Sequence, residues 1–356
     1  QFGIYSPWGQ RYTPQDSDQL AFYREDIKGQ ILEEGISEAG AMGSWIAAGT
    51  AWSHSNQPML PCYIFYSMFG FQRIADLVWN AADSQARGFL LGATAGRTTL
   101  SGEGLQHEDG QSQIYAATIP TCRAYDPAFS YEVAVIAEDG VRRMMSDNEH
   151  CFYYVTLYNE NYVHPSMPAG AEEGIRRGIY LLRPAPQNDK PRVQLIGSGS
   201  VLRLVLAAAD LLESRFGLAV DVWSATSFGE LRKDGIACDR WNLLHPAATP
   251  RTPYISEQLA SRSGPVIGVS DFMRAYPDLI RNWVPQRYTV LGTDGFGRSD
   301  TRVALRDFFE IDERYIALAA LKSLADEGTL PRTALVEAMT QLGINADKPT
   351  PLGHGE

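Results

Sequence analysis

Cysteine is scarce in this chain: four residues in 356, at positions 62, 122, 151 and 238, with no Cys-x-x-Cys pair among them. That excludes a disulfide scaffold and a cysteine zinc site, and it fits a reducing, cytoplasmic setting. Long apolar runs are missing as well. The stretches 204–209 and 315–321 fall far short of the ~20 residues that a membrane span needs. No basic stripe interrupts a net charge of −11, so nucleic acid is not expected as the main partner. There is no Gly-x-Ser-x-Gly elbow, no P-loop lysine, no complete dinucleotide fingerprint, no internal repeat and no low-complexity segment. His54, His150, His164 and His245 find no nucleophile partner in the sequence and read as structural.

What is present is ordinary globular material, 44% apolar and 21% charged, in a chain long enough for two domains. The first 25 residues read as a loop, with turn signals at Ser6-Pro7-Trp8-Gly9 and Thr13-Pro14-Gln15-Asp16. A helix is expected from near Asp26, carrying Ile31, Ile36 and Ala39 toward Trp45. Short β-branched or aromatic runs at 60–65, 88–91, 123–125 and 152–157 read as strands, alternating with helices at 72–82 and 129–138. A composition break at 165–174, rich in Pro and Gly, precedes a stretch at 175–191 with one strand and a polar turn. A second α/β pattern follows. It has strands at 193–196, 219–223, 266–269 and 288–291, and helices at 201–216, 315–326 and 332–342. The fold class is therefore α/β, two doubly wound domains at 1–165 and 193–356 joined by a linker at 166–192.

The chemistry-bearing residues cluster early. Glu38 stands in Glu34-Gly35-Ile36-Ser37-Glu38-Ala39-Gly40, and on the expected helix Glu34 and Glu38 share one face at i and i+4. A carboxylate on an apolar helix needs a partner or a proton. Tyr66 and Phe69, with Arg73 one turn on, open a helix after an apolar strand. Beside them, a carboxylate suits a heteroaromatic ligand whose ring nitrogen gains and loses a proton. His107, flanked by Glu103, Glu108 and Asp109 in Gly102-Glu103-Gly104-Leu105-Gln106-His107-Glu108-Asp109-Gly110, has the pKa range to move a proton or meet a substrate carboxylate. No second histidine stands near it, so no metal ligands are assigned. Gly197-Ser198-Gly199-Ser200 reads as a tight strand-to-helix turn or an anion nest, and 292–300 as a structured glycine-rich loop.

Taken together, 34–40, 66–73, Gly96-Arg97-Thr98-Thr99-Leu100, 102–110 and 292–300 resemble the homodimeric-type pyruvate dehydrogenase decarboxylating component of the thiamine-diphosphate-dependent transketolase superfamily. The likeness runs through the Asn345-Ala346-Asp347-Lys348 ending and covers the C-terminal half of that family's polypeptide. It implies a transketolase-type pyrimidine-binding domain followed by a transketolase C-terminal-type domain that completes the dimer. By this resemblance Glu38 matches the glutamate that hydrogen-bonds the aminopyrimidine of thiamine diphosphate and drives its imino tautomer. Tyr66 and Phe69 look like the residues that pack on that ring, and Arg73 belongs to the same cofactor-binding set. Glu103 and His107 match active-centre positions facing substrate. Residues 8–24 correspond to a loop that orders over the site.

Two departures accompany the resemblance. The family's magnesium-diphosphate motif, Gly-Asp-Gly with an Asn about thirty residues later, is absent, so the Mg2+ ligands are expected on another half or a separate subunit. Gln111 stands where the family usually has histidine, with Gln113 two residues on. The expected function is decarboxylation of pyruvate with reductive acetylation of a lipoyl group on a dihydrolipoyl acyltransferase, in a homodimer or heterotetramer. One alternative is a two-component transketolase-like enzyme moving a ketol unit to a lipoyl or acyl carrier protein, with Arg73, Arg97 and Arg123 as candidate phosphate ligands. The other is a non-catalytic assembly subunit.

Overall fold

Short parallel strands, buried at nearly every position along the central ones, build this molecule around two main sheets covered by helices. The computed structural model describes residues 2–19, 23–101 and 103–352. A two-residue pair, β1 (Ile4–Tyr5) and β2 (Glu25–Asp26), ties the first segment together. The first sheet contains β3 (Cys62–Tyr66), β4 (Phe89–Ala93), β5 (Cys122–Tyr125) and β6 (Phe152–Thr156), in the order β3-β4-β6-β5, all parallel. The second contains β7 (Tyr180–Arg183), β8 (Arg192–Gly197), β9 (Ala219–Ser224), β10 (Val266–Val269) and β11 (Tyr288–Leu291). Its order is β11-β10-β8-β9-β7, with only β7 antiparallel to its neighbour. Parallel strands buried on both faces need apolar residues pointing both ways. On β6, Phe152 and Tyr154 join one core cluster while Tyr153 and Val155 join another. On β9, Val220 and Val222 face one side and Trp223 the other.

Two sequence expectations are corrected by the structure. The helix expected from Asp26 begins only at Glu38 and runs to Gly49. Gly35 holds φ at +66°, which breaks any helix, and Ser37 then caps the true start by accepting the Gly40 N–H at 3.2 Å. Glu34 therefore shares no helix face with Glu38; it lies before the helix and accepts a hydrogen bond from Ser44 Oγ. Within the stretch 166–192 the expected strand is β7, the edge strand of the second sheet, and the helix Glu172–Arg177 precedes it. Helices at Ser112–Ala117, Phe228–Leu244, Tyr254–Leu259 and Arg302–Phe308 carry mixed, weakly periodic sequences and were not expected.

The carboxyl ends of the two sheets meet in a polar seam. Ligand sites of open α/β sheets lie at these ends. Asp271, just past β10, accepts from the Thr98 N–H at 3.0 Å, Thr98 Oγ1 at 2.8 Å and Thr99 Oγ1 at 2.6 Å. The Asp126 N–H donates to the Thr226 carbonyl at 2.7 Å, and the Gly199 N–H donates to the Asp126 carbonyl at 3.0 Å. Glu132 caps the helix Ser130–Val141 through the Ala128 and Phe129 amides and also accepts from Ser224 Oγ at 2.6 Å and Tyr180 OH at 2.7 Å. Asp126, Asp271 and Glu132 are fully buried.

Candidate active site

Tyr66 ends β3, and the helix Ser67–Asp83 begins at once, so Phe69 and Arg73 project from its first two turns. The neighbouring strand β4 runs out into the segment that carries Glu103 and His107. Glu38 occupies the first turn of its own helix, where the positive end of the backbone dipole favours a carboxylate. These elements converge. Arg73 Nη1 donates to Glu38 Oε1 at 2.5 Å, and its guanidinium carbon lies 4.2 Å from the centre of the Phe69 ring. The Tyr66 and Phe69 ring centres are 5.9 Å apart, and the His107 ring is 5.6 Å from Tyr66 and 5.2 Å from Phe69. His107 Nδ1 stands 3.6 Å from Glu103 Oε2.

All six residues singled out in the sequence thus meet on one open face. The Glu38 side chain is 18% exposed and that of Arg73 49%. A carboxylate that is neither sunk in the core nor fully solvated, linked through Arg73 to two rings and a histidine, is a donor set suited to a planar nitrogen heterocycle. The partner that the isolated carboxylate required is Arg73. Among the described residues no group of three or more His, Cys, Asp or Glu side chains is placed to hold a metal ion.

Other singled-out residues are engaged elsewhere. Arg97 is buried in the seam, donating through Nη1 to the Thr293 carbonyl at 2.6 Å and to the Gly295 carbonyl, and through Nη2 to Gln111 Oε1 at 2.9 Å. Burial pushes its pKa down from the ordinary arginine value. Arg123 is held between Glu149, at 2.5 Å, and Glu230. Neither joins Arg73, so the three arginines do not form one phosphate pocket. Gln113 is buried and donates to the Tyr125 carbonyl at 2.9 Å and Thr156 Oγ1 at 3.1 Å. The Gly197–Ser200 turn is packed, with Ser198 Oγ bonded to Ser270 Oγ at 3.1 Å and Ser200 Oγ to Thr99 Oγ1 at 2.5 Å. The expected active-centre loop forms turns between β1 and β2, with Trp8 exposed under Arg11. Leu20, Ala21 and Phe22 of that loop, and Gly102 of the histidine motif, lie outside the described residues.

Sequence reasoning passed over Glu108 as a mere acidic neighbour of His107. It has no exposed surface, and burial pushes its carboxyl up to about 7, although the Arg298 backbone N–H pulls the other way. No local pattern marks it, since its burial comes from a loop nearly two hundred residues later.

A family model described as the pyruvate dehydrogenase E1 component middle domain matches residues 1–165, and one for the transketolase-like C-terminal domain matches 178–312. The pyruvate dehydrogenase E1 component of Pseudomonas aeruginosa is 59% identical over 353 residues; that is 99% of this chain but 40% of that relative's length. Among solved structures, a Pichia stipitis transketolase complexed with sedoheptulose-7-phosphate matches with a TM-score of 0.63 at 17% identity, covering 85% of this chain and 39% of that one. A split-gene transketolase described as an inactive β4 tetramer matches with a TM-score of 0.61 at 15% identity, covering 91% and 92%. At such identities these two speak for the fold alone. No helix among the described residues is long and apolar enough to cross a membrane.

Proposed function

The chain belongs to the pyruvate dehydrogenase E1 component family, and from that premise we propose that it supplies the pyrimidine-binding side of an active site that decarboxylates pyruvate. Residues 1–165 are the pyrimidine-binding domain in this reading, and 193–356 the transketolase C-terminal-type domain. The observation that carries it is the convergence of Glu38, Arg73, Tyr66, Phe69 and His107 at the carboxyl ends of β3 and β4. Glu38, Tyr66 and Phe69 fit the aminopyrimidine of thiamine diphosphate by the chemistry of the set: one acceptor that holds a proton and two rings that stack. When bound, that cofactor supplies the carbanion equivalent that pyruvate cleavage needs.

The residues of this chain do the rest. Glu38 Oε holds and returns a proton at the ring nitrogen, and Arg73, now on that carboxylate, orients it. Tyr66 and Phe69 keep water from the ring face. His107 sits where it can hold or give a proton at the substrate side, with Glu103 orienting its Nδ1. The magnesium and diphosphate ligands belong to another half or subunit, and the acyl product passes to a lipoyl group on a partner acyltransferase. Pyruvate is favoured over a ketose phosphate because, of the three candidate arginines, Arg97 and Arg123 are committed elsewhere and only Arg73 lies in this cluster.

The test is carbon dioxide release from pyruvate by the assembled enzyme with thiamine diphosphate and Mg2+. Release that disappears in Glu38→Ala supports the reading. Turnover with ketose phosphates only, or full activity in that variant, would sink it.

A further inference from the structure

His107 itself is loosely tethered. Its Nδ1 lies 3.5 Å from the Glu103 carbonyl and 3.6 Å from the Glu103 carboxylate, and its ring meets Phe69 edge-on and Tyr66 at a tilt. The next residue is held far more firmly. Glu108 Oε2 accepts the Arg298 backbone N–H at 2.7 Å, while Glu108 Oε1 is buried without a partner. A buried carboxylate with one hydrogen bond is expensive, and an apolar side chain would fill the space without that cost. The two loops are also fitted to each other. A Cβ on Gly297 would stand 2.5 Å from Glu108 Oε2 and 3.1 Å from Leu105 Cα, so only glycine permits the approach. The Met273 N–H donates to the Gly110 carbonyl at 2.8 Å, and Arg97 binds the Thr293 and Gly295 carbonyls. Second-half backbone therefore meets the 104–110 loop at Glu108, at Gly110 and, through Arg97 and Gln111, just past its end.

We propose that Glu108 is a positioning residue: by fastening its loop to the Arg298 amide it fixes His107 beside Tyr66 and Phe69. The second half then sets the geometry of a cluster whose members all lie on the first half, a role distinct from completing the assembly. The assignment of a reaction to His107 rests on the reading above, whereas the strap itself does not.

The experiment compares Glu108→Ala, Glu108→Gln and Gly297→Ala in the assembled enzyme by two readouts. One is amide hydrogen exchange over 103–110 and 292–300, which needs no turnover. The other is kcat against KM for pyruvate. Glu108→Ala should speed exchange in 103–107 by about tenfold. It should also lower kcat by about 10- to 100-fold with little change in KM. Glu108→Gln keeps the acceptor for the Arg298 amide and should restore both, while Gly297→Ala should mimic the alanine variant from the opposite loop. Unchanged exchange and kcat in Glu108→Ala, or equal impairment in Glu108→Gln, overturns the proposal. If the wild-type enzyme leaves pyruvate untouched, the functional reading fails while the exchange comparison still decides the strap.

Discussion

Two polar clusters lie at the carboxyl ends of the strands, and they are built in opposite ways. The Glu38–Arg73–His107 face is open, its ion pair partly solvated, Tyr66 exposed and Phe69 and His107 half-buried at the edge of the first sheet. The seam between the sheets is closed: Asp126, Asp271 and Glu108 are fully buried, and their partners are hydroxyls and backbone amides rather than direct ion pairs. Asp126 is pushed up to about 6 by burial, and burial raises Asp271 as well. The open cluster leaves its groups free to meet a ligand. The closed one spends its polarity on holding two sheets and two loops in register.

The sharpest way to break the contrast is Glu38→Ala. It should lower pyruvate decarboxylation by about 10²- to 10⁴-fold, the range of a lost proton-transfer group, with the unfolding midpoint unchanged. Asp271→Ala should do the reverse. It strands the Thr98 amide and hydroxyl in the seam and leaves Thr99 Oγ1 only Ser200, so stability should fall by about 3–4 kcal/mol in denaturant unfolding, with lost activity following from that.

A pH series separates the clusters more finely. Burial, with Asp271 in support, pushes the Glu108 carboxyl up and outweighs the Arg298 N–H and Arg97, which pull it down. Because its folded pKa of about 7 lies above the ordinary 4.5, the folded state binds the extra proton. Its contribution is present below pH 4.5 and is lost as pH rises through 7, about 3 kcal/mol in all. Glu108→Gln should therefore flatten the fall in stability between pH 5 and 7, measured by urea unfolding; an unchanged slope would place the titration elsewhere. The smallest effect belongs to the open pair. Arg73→Ala should change stability by less than about 1 kcal/mol, as exposed ion pairs do, yet weaken cofactor binding as followed by calorimetry.

Much of this was legible along the chain. The strands at 266–269 and 288–291 coincide with β10 and β11, because short β-branched runs between turn signals leave little choice. The six residues of the open cluster lie in three short motifs, each beside a strand end or helix start, so local sequence was enough to suggest them. Glu34 misled because i, i+4 spacing implies a shared face only inside a helix, and Gly35 ends that option. Glu108, Arg97 and Gln111 were out of reach for another reason. Residues 271–298 surround Glu108 and Arg97, and Gln111 meets them only through Arg97; no period or cap records a contact across such a separation.

Composition, strand patterning and motif chemistry thus determined the class of fold, the two sheets and the candidate ligand-facing residues. Tertiary structure alone decided which carboxylates lose their water, which arginines are committed to backbone carbonyls, and that a loop of the second half closes on the loop bearing His107. Desolvation is a property of everything packed around a group, and the chain brings those neighbours in from both halves.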